Sequence, residues 1–215
     1  MIVLFGHQKG GVGKSTIAIN FAYLASKHFK DIALLDLDSQ NSAKLFNRLR
    51  ESEDRKMIRC VTKEEIDFNE MMETYANNKD NLLVIDSGGY DSDVNRAALI
   101  KADIIITPVG ISQIEIFGLQ LFRDILAEAS DALGRNVKTN VLLNNIDVRS
   151  KSKIQELKEY IIANDKHFNL LNTQVHSRAD FKHSYGEGLT VKEYKKKSDS
   201  TKEVKSLVKE IINKL

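Results

Sequence analysis

The chain has 215 residues, 42% apolar and 29% charged, a composition that supports a folded domain with a sizeable core and excludes an intrinsically disordered chain. A net charge of +2 excludes a strong global field, so any surface for a polyanion must be a local patch. Cys60 stands alone, which excludes an intrachain disulfide and a multi-cysteine metal site; its apolar neighbours Met57, Ile58 and Val61 predict a buried structural thiol.

In chain order, the apolar run Met1 to Phe5 ends in glycine and predicts a buried strand. Ile17, Phe21, Leu24 and Ala25 then recur at helical spacing across Ser15 to Lys27. Ile32 to Leu37 predicts a second buried strand, and Leu82 to Ile85, Ile104 to Ile106 and Val141 to Leu143 repeat the pattern. Helical patterns lie near Ser42 to Arg50, Glu64 to Ala76, Val94 to Ile100 and Glu115 to Leu133. Short apolar strands alternating with helices predict an α/β fold, a mostly parallel central sheet with helices on both faces. No linker, repeat or low-complexity segment divides the chain, so one domain over 1–215 is expected, and the only proline, Pro108, is expected to end a strand. No apolar run approaches the length of a membrane span and no signal peptide is present, which predicts a cytoplasmic protein.

Lys9-Gly10-Gly11-Val12-Gly13-Lys14-Ser15 lies between the first strand and the first helix, followed by Thr16. Glycines there let backbone N–H groups turn onto phosphate oxygens, and the helix N-terminus adds partial positive charge. Lys14 would reach the β- and γ-phosphates and the Ser15 hydroxyl would hold Mg²⁺. The strict phosphate-loop pattern wants glycine five positions before Gly13, where Gln8 stands, and a second lysine, Lys9, opens the loop. The second strand ends Asp36-Leu37-Asp38-Ser39-Gln40, two carboxylates on one face of a strand end; an aspartate there can also cap the following helix. Leu82 to Asp86 has the form of a strand presenting a carboxylate to Mg²⁺, and Ser87-Gly88-Gly89 follows it.

KGGVGKS resembles the deviant phosphate loop of the ParA/MinD family of ATPases. The resemblance spans essentially the whole chain and is most specific through residue 40. It implies ATP and Mg²⁺ as ligands, with Lys9, Lys14 and Asp38 in catalysis and Lys9 reaching across an ATP-bound homodimer. Ser15, Asp36 and Asp86 then serve the metal, and Asp38 orients the attacking water. Ser39 departs from the family's usual proline, and Ser87-Gly88-Gly89 from its usual Pro-Pro pair. Asn144, in Val141 to Asn145, resembles the adenine-contacting position, and Gly188 to Glu193 resembles the family's late segment.

Within such a family the cysteine count excludes metal-cluster carriers. A partition ATPase remains, binding nucleoid DNA without sequence preference and answering a ParB-like centromere-binding partner. The alternative is a MinD-like, membrane-associated ATPase. Residues 191–215 carry eight lysines against four acids, and Arg178, Lys182, Lys195, Lys196 and Lys197 are the expected DNA contacts. The stripe Val204, Leu207, Val208, Ile211, Ile212 and Leu215 either docks on the sheet or lies on a membrane. Gly10 is already the tenth residue, so no helix-turn-helix domain is expected before the loop. The five histidines show no metal-ligand spacing, and no Gly-x-Ser-x-Gly elbow occurs.

Overall fold

A computed structural model describes residues 1–215. Seven strands form one parallel sheet: β1 (Ile2–Phe5), β2 (Asp31–Asp36), β3 (Arg59–Thr62), β4 (Asn81–Asp86), β5 (Ile104–Val109), β6 (Thr139–Ile146) and β7 (Phe168–His176). Their spatial order is β3-β2-β4-β1-β5-β6-β7. The crossovers carry α1 (Lys14–Ala25), α2 (Ser42–Glu51), α3 (Phe68–Ala76), α4 (Asp93–Lys101), α5 (Gln113–Leu133) and α6 (Lys151–Ala163); α7 (Ala179–Gly186), α8 (Val191–Tyr194) and α9 (Asp199–Ile212) follow β7.

Because successive strand residues point to opposite faces, the continuous apolar runs feed two cores. Val3, Phe5, Leu34, Leu82 and Val84 meet α1, α2, α8 and α9 on one face. Ile2, Leu4, Leu35, Leu83 and Ile85 meet α3 to α6 on the other. The expected helix over Glu64 to Ala76 divides: Lys63–Glu65 is one turn of 3-10 helix, and Asp67 then caps α3 by accepting from the Glu70 N–H. Pro108 lies inside β5 rather than ending it.

The C-terminal stripe docks. Val204, Leu207, Val208 and Ile211 are buried in the first core, packed on α1 and β7, so the face that a membrane would take is already covered. No helix is long and apolar enough to cross a membrane. Cys60 is half-buried beside the same core, and burial pushes its thiol up to about 12, so it stays a protonated, unreactive side chain.

Candidate active site

The central strands β1, β2 and β4 end together, and the loops beyond their carboxyl ends enclose a cleft of about 1050 Å³. Gly10, Gly11, Gly13, Lys14, Ser15 and Thr16 form one wall. Asp38, Ser39 and Gln40 form the second, and Gly89 and Tyr90 the third. Asn145, Arg178, Phe181, Lys182 and Tyr185 close it from the far side.

The loop after β1 winds tightly because Gly13 has φ +91°, a left-handed conformation that places the free N–H groups of α1 at the cleft. Lys14 is buried, and its Nζ donates to the Lys9 carbonyl at 3.1 Å. Burial lowers the pKa of this ammonium, while Asp86 and Asp38 oppose that shift. An ammonium stored on a backbone oxygen has a weak partner to leave when phosphate oxygens arrive.

Asp86 is fully buried, and neither carboxylate oxygen has a hydrogen-bond partner. Burial pushes its pKa upward against the nearby Ser15 hydroxyl and the charge of Lys14, and Asp36 and Asp38 add to the rise. An orphaned carboxylate costs free energy in a folded protein unless something at the site repays it. A Mg²⁺ fits that requirement: it takes one or two carboxylates, a hydroxyl and nucleotide phosphates, and needs no all-protein cage. No cluster of three or more His, Cys, Asp or Glu side chains forms such a cage.

Asp36 has another task. Its Oδ2 accepts from the N–H groups of Ala43 (2.9 Å) and Lys44 (3.2 Å), and its Oδ1 from that of Asp38 (3.1 Å). It therefore ties the start of α2 to the end of β2, and any metal would share oxygens already engaged. Asp38 points into the cleft. Gly89 brings the loop after β4 against the Gly10 backbone, where a Cβ would stand 2.8 Å from the Gly10 nitrogen.

Two expected residues make contacts of their own. Asn144, expected at the adenine, is buried and donates from Nδ2 to the Val12 carbonyl at 2.7 Å, bracing the loop from behind. Asn144 and its neighbour Asn145, which has a left-handed φ of +54°, both line a hollow of about 130 Å³ beside the phosphate loop, and Asn145 also lines the main cleft. Arg178, expected on DNA, also lines the cleft, with its Nη2 2.7 Å from Glu203 Oε1. Lys182 is exposed at the cleft rim, whereas Lys195, Lys196 and Lys197 are exposed together between α8 and α9.

Lys9 does not line its own cleft. Its N–H donates to His7 Nδ1 at 2.8 Å, and a Cβ on Gly118 would stand 2.9 Å from the Lys9 Cβ, so α5 passes directly beside it. His7 and Gly118 were not among the expected residues. His7 is buried, its ring lies parallel to Phe122 with centroids 6.5 Å apart, and its Nε2 has no partner. Burial, with the charge of Lys14, pushes its pKa down to about 3. The sequence signal for it was position alone: the residue between a buried strand and a glycine loop.

A family model described as the CobQ/CobB/MinD/ParA nucleotide-binding domain matches residues 3–191. No protein of curated function matches the sequence significantly. Among solved structures, the chain is similar to a Borrelia burgdorferi B31 protein assigned to plasmid partition and bound to AMPPNP, with 19% identity, a TM-score of 0.67 and coverage of 100% and 99% of the two chains. An ATP complex of McdA from Cyanothece aligns at 14% identity and a TM-score of 0.73, covering 99% and 96%. The MinD cell division protein of Aquifex aeolicus aligns at 14% identity and a TM-score of 0.72, again covering 99% and 96%. At these identities the likeness is one of fold.

Proposed function

The chain belongs to the CobQ/CobB/MinD/ParA nucleotide-binding family, and from that membership we propose that it is a Mg²⁺-dependent ATPase of DNA partition. Its ATP-bound homodimer holds DNA without sequence preference and is stimulated by a ParB-like partner. The observation that carries the ATPase reading is the orphaned Asp86 carboxylate below a glycine loop that stores Lys14 on its own backbone.

In this reading Gly10 to Thr16 bind the phosphates, and Lys14 transfers its hydrogen bonds from the Lys9 carbonyl to them. Ser15 and Asp86 hold Mg²⁺, which would supply positive charge against the β- and γ-phosphates. Asp38 orients the attacking water, and Asn144, with Asn145 beside it, meets the base. Lys9 serves the partner copy, in keeping with a side chain that does not line its own cleft. Beside it, α5 exposes Ile114, Phe117 and Leu121 at 58%, 53% and 61%, an apolar ridge suited to a second copy.

Lys195, Lys196 and Lys197 provide the DNA contact in this reading. The membrane alternative loses its motivation, because the α9 stripe is packed on α1 and β7. The test is fluorescence anisotropy of unrelated duplexes with the ATP-trapped Asp38→Ala dimer. Binding should weaken with salt at a log–log slope of about −0.9 per phosphate neutralised. The triple substitution of Lys195, Lys196 and Lys197 by glutamine should flatten that slope. An ATP-trapped dimer that binds no duplex and floats with anionic liposomes overturns the partition reading.

A further inference from the structure

A second basic concavity lies away from the cleft, where the end of α1 meets α8 and α9. It encloses about 320 Å³, and Lys27, Lys192, Lys205 and Lys209 surround it. The floor is apolar, made by Leu24, Val208 and Ile212, and His28 stands at the edge. None of these four lysines has an ionic partner; the lysines that form ion pairs are Lys30, Lys44 and Lys202.

The acids of residues 191–215 are committed elsewhere. Glu193 pairs with Arg50 at 2.8 Å, and Glu203 with Arg178 at 2.7 Å. Asp199 takes Lys202 at 2.8 Å. Glu210 accepts from the backbone N–H groups of Asn172 (2.8 Å) and Thr173 (2.9 Å). Three lysines of this segment, Lys192, Lys205 and Lys209, therefore face the hollow with no acid paired to them, and Lys27 joins them from the end of α1. Four ammonium groups without counter-charges repel one another, and an anion between them relieves that repulsion.

We propose that this hollow is a binding site for a compact organic phosphate bearing two or more phosphate groups. Its size is at the lower end of small-ligand pockets. A lysine rim over an apolar floor provides for phosphates and for a carbon skeleton in the same ligand. A hollow of about 320 Å³ is too small to admit a duplex, whereas the exposed Lys195 to Lys197 run can meet a phosphate backbone from outside. The proposal does not depend on the partition reading, since it concerns a site formed by other residues.

The probe is fructose 1,6-bisphosphate, titrated calorimetrically into the whole protein with and without ADP·Mg²⁺. Saturable one-to-one binding is expected, equal in both conditions. The double variant Lys205→Gln, Lys209→Gln should bind at least about tenfold more weakly, since each loses a charge-assisted contact. The Lys195→Gln, Lys196→Gln, Lys197→Gln variant should bind like the parent. Melting curves without ligand show that the variants are folded. Three outcomes overturn the proposal: no saturable binding, competition by ADP (which places the probe in the phosphate loop), or a double variant that loses duplex binding while the parent ignores the bisphosphate. ATP affinity measured in the same preparations reports separately on the nucleotide cleft.

Discussion

At the scale of single residues, the site stores unfavourable chemistry that its ligands are placed to relieve. Asp86 has its pKa raised in the folded state by burial, so its ionised form becomes a destabilising one as pH rises above the unfolded carboxylate value. Asp86→Asn should therefore raise the melting temperature of the nucleotide-free protein at neutral pH, narrow that gain toward acid pH, and abolish Mg²⁺-dependent hydrolysis. Scanning calorimetry over pH 4–8 beside a phosphate-release assay checks both halves. His7 carries the opposite sign. Its folded pKa of about 3 lies below the unfolded value, so the unfolded chain binds the extra proton and stability falls as pH drops below about 6.5. His7→Phe keeps a ring against Phe122 and removes the acceptor for the Lys9 N–H. This variant should melt with a flatter acid limb, and its ATP-dependent dimerisation should weaken more than its ATP binding. Equal losses in both would mean that His7 supports the loop as a whole, not Lys9. Of these residues the sequence made Asp86 legible, since an apolar run ending in a carboxylate is a linear signal. His7, Gly118 and the bracing role of Asn144 were not, because each depends on a neighbour more than a hundred residues away or on burial.

At the scale of elements, what could be read was whatever lay buried on both faces. Of the five inner strands, β2, β4, β1 and β5 are nearly continuous apolar runs, and so is the middle of β6. The edge strands β3 and β7 escaped. β3 is only Arg-Cys-Val-Thr, and β7 alternates buried with half-exposed positions and spends Asn, Gln and His on the solvent side. The second feature invisible in sequence is the latch between α2 and α8. Arg50 is 1% exposed, pairs with both Glu193 oxygens, donates to the Lys56 and Gly188 carbonyls, and lies 4.4 Å from the Tyr23 ring centre. Arg50→Met keeps the apolar stem but strands those acceptors, and should cost about 3 kcal/mol in urea unfolding. A loss below about 0.5 kcal/mol would mean that the latch contributes little. Docking of α9 has its own consequence: Leu207→Ala opens a hole in a closed core and should cost about 2–5 kcal/mol.

At the scale of the molecule, Lys9 does not line its own cleft, and the proposed cross-subunit role separates nucleotide capture from assembly. Lys9→Ala should bind ATP with near-parental affinity and stay monomeric by light scattering. A variant that dimerises like the parent refutes the cross-subunit role. The strand order carries a consequence of a different kind. β1 finds its partners only at residues 83–86 and 104–106, and the glycine loop receives its brace from residue 144. Such distant pairings are slow to form, because long stretches of chain must be ordered before any contact rewards them. On a ribosome, which extends the chain from its N-terminus, the glycine loop after β1 is thus made well before the residues that shape it. A nascent chain stalled before β6 carries Lys9 to Ser15, Asp38 and Asp86 but lacks the Asn144 brace and the far wall of the cleft.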